Sequence, residues 1–382
     1  MSLRIVFDVR RARDFGIGTY IRGLLHGLGA IDQSNDYVLI TLPHRQDAHA
    51  DEATFAGLPP NFQTVTYPRT DAYFSDHVAF PFFVRRLAPS LVHIPLNRVP
   101  LFLQEPYVVT IHDMSSLLFE TGSGLRIAGR RFLLRRGLLR ARRILAVSEA
   151  TRRDVHDALG IPADRIRLAH NAPNPDFFIP APAERARSIL ERYQIAYPFL
   201  LYAGNIRPQK NIPRLVEAFA VAREHLSRHP VYRHLHLIII GDEISRYPSV
   251  RRAVIQTRVE KAVRFLGFVP FEALRVFFES AALFVFPSLY EGFGLPPLEA
   301  MAAGTPVVAS NVSALREVLG DAALLVNPEN VFEIARAIQE ALLDEDLRCE
   351  LIAKGKAQAA RYSWNRTARE VLEVYREVSG MP

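Results

Sequence analysis

Short apolar runs alternate with amphipathic stretches along the whole chain. Residues 3–9, 37–42, 91–94, 107–111 and 144–147 read as strands in the first half. Residues 199–202, 235–240, 263–266, 283–286 and 306–309 do so in the second. Most are continuous in Val, Ile, Leu and Phe rather than alternating, the pattern of strands buried on both faces. Between them lie helical periodicities such as 212–222 and 332–343. This β–α alternation predicts an α/β protein with parallel sheets covered by helices on both sides.

The pattern breaks once. Residues 171–182 hold four prolines, which remove amide donors and bias their neighbours away from helix. The expected organisation is a Rossmann-like domain over 1–178, a linker over 179–194 and a second Rossmann-like domain over 195–363. The two domains face each other across a cleft, and a last helix over 364–382 packs back on the first. With 382 residues, 49% of them hydrophobic, the chain can bury two cores.

Composition narrows the chemistry. A single cysteine, Cys349, excludes an intrachain disulfide and a cysteine-based zinc site. No apolar run approaches the roughly 20 residues of a membrane span, and no signal-peptide pattern opens the chain. A cytoplasmic protein is expected, or one peripheral on the inner face of the membrane. The formal charge of +7 points to an acidic partner. No zinc-finger or RNP-type motif supports nucleic acid.

Chemistry concentrates after strand ends, where open α/β sheets bind ligands. Behind the strand at 283–286 come Glu291, Gly292, Phe293, Gly294, Leu295, a proline-opened helix and Glu299. Backbone amides at that helix start favour an anion, and a carboxylate on either side suits sugar hydroxyls. Phosphate in the middle with a hydroxylated ring at each end describes a nucleotide diphosphate sugar. The plain alternative leaves Glu299 interacting only with its own helix. Behind the strand at 199–202, Arg207 and Lys210 can neutralise a departing diphosphate, or form a solvated pair. Gly16 and Gly18 permit close backbone approach, although a simple tight turn fits them equally. With Ile21 where a third glycine is needed, they make no dinucleotide fingerprint. His112 ends the strand at 107–111, and Asp113 suits a helix cap.

The run from Glu291 to Ser310, with seven residues between the two glutamates, resembles the donor-site signature of retaining glycosyltransferases of the GT-B fold, glycosyltransferase family 4. The resemblance implies that Glu299 binds ribose hydroxyls, Glu291 contacts the transferred sugar, and Arg207 and Lys210 hold the diphosphate. It further implies that His112 orients the sugar, that the loop at Gly16 and Gly18 closes over the donor, and that the backbone of Phe265 and Leu266 reads the base. It implies a metal-independent hexosyltransferase without a cofactor, its donor domain C-terminal and its acceptor domain N-terminal. The Gly-Ile-Gly-Thr-Tyr and Thr-Ile-His-Asp segments resemble those of bacterial mannosyltransferases that use GDP-mannose for surface polysaccharide. A UDP-sugar, an epimerase of the same fold and a non-catalytic nucleotide-sugar-binding protein remain alternatives.

Two further segments need a reading. Asp344 to Asp346 mimics a metal-binding DxD but follows no strand, so a solvated turn is expected. Residues 126–143 carry eight arginines and no acid, with leucine and phenylalanine between. They read either as a basic helix touching anionic lipid or as an ordinary helix on the sheet.

Overall fold

The computed structural model describes residues 2–14, 16–43, 54–69, 73–119, 124–241 and 246–380. It divides into two compact units. Residues 1–172 with 362–382 form the first, and residues 173–361 form the second.

In the first unit, among the described residues, seven parallel strands take the order β3-β2-β1-β4-β5-β6-β7. These are β1 (Arg4–Asp8), β2 (Asp36–Thr41), β3 (Phe62–Thr66), β4 (Leu91–Ile94), β5 (Tyr107–Ile111), β6 (Arg143–Ala146) and β7 (Ile166–Leu168). Apart from Arg4 at the start of β1, the central strands β1, β4 and β5 are buried, with Val6, Ile94, Val109 and Ile111 in one apolar cluster. This is why they read as unbroken apolar runs.

The helix Ile17–Ile31 packs on the C-terminal helix Trp364–Ser379. The approach is close enough that a Cβ on Gly23 would lie 2.1 Å from the Trp364 indole, and one on Gly27 2.5 Å from the Trp364 carbonyl oxygen. The C-terminal helix starts well capped, Ser363 accepting the Arg366 amide. It belongs with the first unit.

Among its described residues the second unit holds six parallel strands in the order β10-β9-β8-β11-β12-β13. They are β8 (Phe199–Ala203), β9 (His236–Ile240), β10 (Val263–Gly267), β11 (Leu283–Phe286), β12 (Val307–Ser310) and β13 (Leu324–Val326). Residues 179–194, expected as a linker, instead carry the helix Ala183–Arg192 within this unit. Arg185 pairs with Glu272 at 2.6 Å, and Arg275 donates to the Ile179 carbonyl at 2.6 Å. The chain crosses between units at 172/173, inside the proline-rich stretch, and again at 361/362.

Candidate active site

The strand order of the second sheet reverses between β8 and β11, the switch point at whose carboxyl edge such sheets bind ligands. The loops leaving those two strands are fastened together. After β8 comes a 3-10 turn, Pro208–Lys210, and then Asn211, in the left-handed region at φ 60° before the helix Ile212–His225. The buried Asn211 Nδ2 donates to the Pro287 carbonyl at 3.0 Å and to the Pro328 carbonyl at 2.7 Å. The Leu289 amide donates to the Gln209 carbonyl at 2.7 Å. Three strand-end loops are thereby joined through one side chain and one backbone bond.

This fastening brings Lys210 to Glu291. The ammonium nitrogen lies 2.5 Å from Glu291 Oε1 and 5.5 Å from the centre of the Phe286 ring. The side chains are 18% and 11% exposed, so the pair is shielded from bulk water yet reachable. The Glu291 backbone is held as well, its amide donating to Ser313 Oγ at 2.9 Å and its carbonyl accepting from the Ala314 amide at 3.4 Å.

From Glu291 the buried loop runs through Gly292 and Phe293 to Gly294, which precedes the helix Leu295–Ala302. Gly294 sits at φ 99°, and a Cβ there would lie 2.5 Å from Leu315 Cδ2. Both the dihedral and the contact demand glycine. Prolines follow directly at 296 and 297, where a missing amide costs the helix nothing. The dipole at this helix start favours negative charge. Glu299, half-buried, stands one turn further in.

Arg207 is exposed at the start of the 3-10 turn, so of the two expected cations it is Lys210 that meets Glu291. On β10 the register against β9 shifts between Phe265 and Gly267, which makes Leu266 an extra residue in the ladder. A bulge of this kind takes backbone groups out of regular pairing. Phe265 and Leu266 are half-buried.

In the first unit His112 follows β5 and is 9% exposed. Its Nε2 donates to the Pro95 carbonyl at 3.0 Å, and its amide donates to Asn97 Oδ1 at 3.1 Å. Burial pulls the imidazole down to about 4, against smaller upward effects of the Pro95 carbonyl and Asp113. At neutral pH the ring is uncharged, with its proton on Nε2 and a lone pair on Nδ1. Asp113 accepts from the amide and hydroxyl of Ser115, at 2.8 and 2.5 Å, at the start of the helical turn Ser115–Leu118.

Gly16, at φ 68°, opens the helix Ile17–Ile31. Gly18 lies against the Ala12 carbonyl, which a Cβ would meet at 2.5 Å, so its close approach is to the chain's own backbone.

Asp344 caps the helix Glu345–Ala360 by accepting the Leu347 amide at 2.9 Å. Among the described residues no group of three His, Cys, Asp or Glu side chains is placed to hold a metal ion.

The arginine-rich segment is divided in purpose. Arg135 donates to the Leu159 carbonyl at 2.8 Å, and Arg140 to those of Leu101 and Leu103 at 2.9 and 3.0 Å. Arg131 donates to the Ala158 carbonyl, and Arg143 pairs with Glu377. The other face of the helix Gly124–Arg140 presents Leu125, 88% exposed, and Phe132, 60% exposed, beside Arg126 and Arg136. Among the described residues no helix is long and apolar enough to cross a membrane.

Two parallel Rossmann-like sheets, one in each unit, make the α/β fold of GT-B proteins. Solved structures share the fold across nearly the whole chain. Sucrose-phosphate synthase from Thermosynechococcus elongatus has a TM-score of 0.78 at 21% identity, covering 99% of each chain. Anabaena HepE in complex with UDP-glucose has a TM-score of 0.77 at 17% identity, covering 98% of this chain and 100% of that one.

Residues 191–358 match the family described as Glycosyl transferases group 1, and residues 16–177 match Glycosyltransferase Family 4. The O-antigen chain mannosyltransferase B of Escherichia coli is 36% identical over 280 residues, 71% of this chain and 70% of that protein. The serotype-specific mannosyltransferase WbdA of Escherichia coli is 34% identical over 236 residues, 61% of this chain but only 28% of its own length. The chain belongs to glycosyltransferase family 4, group 1, and is a glycosyltransferase.

Asn211 and Ser313, which hold Lys210 and Glu291 in place, are not evident from sequence. An asparagine before a helix reads as an ordinary cap, and only the left-handed Asn211 backbone and its two distant carbonyl partners reveal the different use.

Proposed function

We propose that the protein transfers a hexose, mannose from GDP-mannose, to a hydroxyl of a saccharide or lipid-linked acceptor in surface polysaccharide synthesis, with retention at the anomeric carbon. The observation that carries this reading is the Lys210–Glu291 pair beside the Gly294 turn at the switch point of the second sheet. The names of the E. coli relatives favour mannose. The UDP-glucose bound to HepE keeps a UDP-sugar as the second reading.

In this reading the diphosphate takes the place of the Glu291 carboxylate on Lys210. Arg207 and the amides of residues 292–295 share its charge, Glu299 takes the ribose hydroxyls, and Leu266 and Phe265 meet the base. Glu291, released from the lysine, turns to the sugar hydroxyls, while neutral His112 accepts a sugar hydroxyl at Nδ1. The anomeric carbon–oxygen bond breaks with its electron pair going to the phosphate oxygen. The acceptor hydroxyl bonds to the anomeric carbon on the same face and gives its proton to that oxygen. Cationic stabilisation of the leaving phosphate is the main contribution asked of the protein. No metal ion or cofactor takes part in this scheme.

Calorimetric titration of metal-free protein with GDP, UDP and ADP tests the donor. Selective binding of GDP supports the reading, selective binding of UDP moves it to the second, and binding of none removes both. Product anomer analysis by NMR tests retention.

We further propose that the Leu125 and Phe132 face of the arginine-rich helix rests on an anionic lipid surface. Exposed apolar side chains beside exposed Arg126 and Arg136 support this contact.

A further inference from the structure

Beneath His112 runs a line of four fully buried polar groups from four elements of the first unit. Tyr375, on the C-terminal helix, is hydrogen-bonded through its hydroxyl to His93 Nδ1 at 2.5 Å. His93, on β4, is bonded through Nε2 to Thr110 Oγ1 at 2.7 Å. Thr110, on β5, shares its hydroxyl with that of Tyr20 at 2.9 Å. The Tyr20 ring then meets the His112 ring edge-on, with centres 4.8 Å apart, and also contacts Trp364 at 6.1 Å.

The line carries no charge. Burial holds the His93 imidazole down at about 3, raises the Tyr20 phenol well beyond its ordinary range and raises Tyr375 as well. A neutral imidazole donates from one nitrogen and accepts at the other, so the hydroxyls on its two sides take opposite roles and the line acquires a direction. Removing one hydroxyl leaves a buried partner unsatisfied and upsets its neighbours in turn. Thr110 lies on β5 and His112 directly after its end. Tyr20 spans the space between them, its hydroxyl on the first and its ring on the second.

We infer that Tyr20 and Tyr375 are positioning residues for His112: the C-terminal helix fixes the imidazole's orientation through Tyr375, His93, Thr110 and Tyr20. The functional importance of this rests on the proposed contact of His112 with the sugar, whereas the mechanical link does not.

Tyr375→Phe in the full-length chain removes one hydroxyl and keeps the ring. Long-range nitrogen–proton correlation spectra of the histidine side chains at neutral pH read each imidazole without any substrate. Expected is a His112 signal set for the Nε2–H form in the parent, shifted or broadened in Tyr375→Phe. His229 and His236 of the second unit should stay unchanged. Tyr20→Phe should disturb His112 in the same way and serves alone if Tyr375→Phe fails to fold. With GDP-mannose as donor, kcat should fall roughly tenfold while KM stays within about twofold, the sign of misplacement rather than lost binding. Unmoved His112 signals in the folded variants overturn the inference, even if their unfolding midpoints drop, because the line is then only core. A His112→Ala enzyme with full turnover would instead remove the sugar-binding role of His112 and leave the spectroscopic result standing.

Discussion

Lys210 and Glu291 stand 81 positions apart and meet at 2.5 Å between Nζ and Oε1. Without an anion, the lysine's partner is the glutamate, and the pair keeps both side chains oriented. A diphosphate offers the lysine a stronger anion. Lys210→Ala should therefore cut kcat by about two to three orders of magnitude, the usual effect of losing one charge-stabilising donor. Steady-state release of nucleoside diphosphate measures this, and near-normal turnover would end the clamp assignment.

In the proposed scheme Glu299 takes the ribose hydroxyls, away from the bond that breaks. Glu299→Ala should weaken binding of the nucleoside diphosphate roughly tenfold to a hundredfold, the worth of hydrogen bonds to a charged acceptor. Turnover at saturating donor should change far less. Calorimetry on both proteins, with kcat at high donor concentration, separates the two effects.

Gly294 admits no side chain. Gly294→Ala meets Leu315 and holds an alanine at φ 99°, which should destabilise the second unit by about 1–3 kcal/mol and displace the loop from Glu291. Urea unfolding curves check the first consequence, and loss of nucleotide binding by the still-folded variant checks the second.

His112 and His93, lowered to about 4 and about 3 by burial, both resist protonation in the folded chain. In the unfolded chain each takes up a proton near its ordinary value of about 6.5. The unfolded state therefore binds more protons below that pH, so stability is full above it and falls as pH drops towards 4, His93 extending the loss to 3. Unfolding free energies measured across that window should show the slope, and His112→Gln should reduce it by about one proton.

The lipid contact has a direct assay. The protein should co-sediment with vesicles containing anionic phospholipid and not with neutral ones, and raised salt should release it. Leu125→Asp with Phe132→Asp should abolish sedimentation. Equal partition to both vesicle types would remove the proposal.

The interior strands were legible because burial on both faces makes them uniformly apolar. The strands that escaped were β3, β7 and β13, each at a sheet edge. Phe62–Thr66 is mostly exposed or half-buried, and Ile166–Leu168 and Leu324–Val326 have only three residues each. None of the three makes an apolar run long enough to register. At the site, Glu291, Gly294, Glu299 and Lys210 could be read because glycine, proline and charge fall at fixed offsets after strands. Their supports could not. Asn211 acts on Pro287 and Pro328, and Tyr375 on His93, across separations that only the fold closes. Of the eight arginines at 126–143, at least five satisfy nearby carbonyls or pair with a glutamate, a use that the charge run does not disclose.

The notch that Gly23 and Gly27 leave for Trp364 also bears on how the molecule is made. The segment that fills it is synthesised after the whole of residues 173–361. On the ribosome the second unit, continuous in sequence, can complete its core while the first still lacks its closing helix. Domains tend to fold as units as they emerge, so the later half of this enzyme is set to mature before the earlier one. Until then the first unit lacks the helix whose Trp364 covers Gly23 and Gly27.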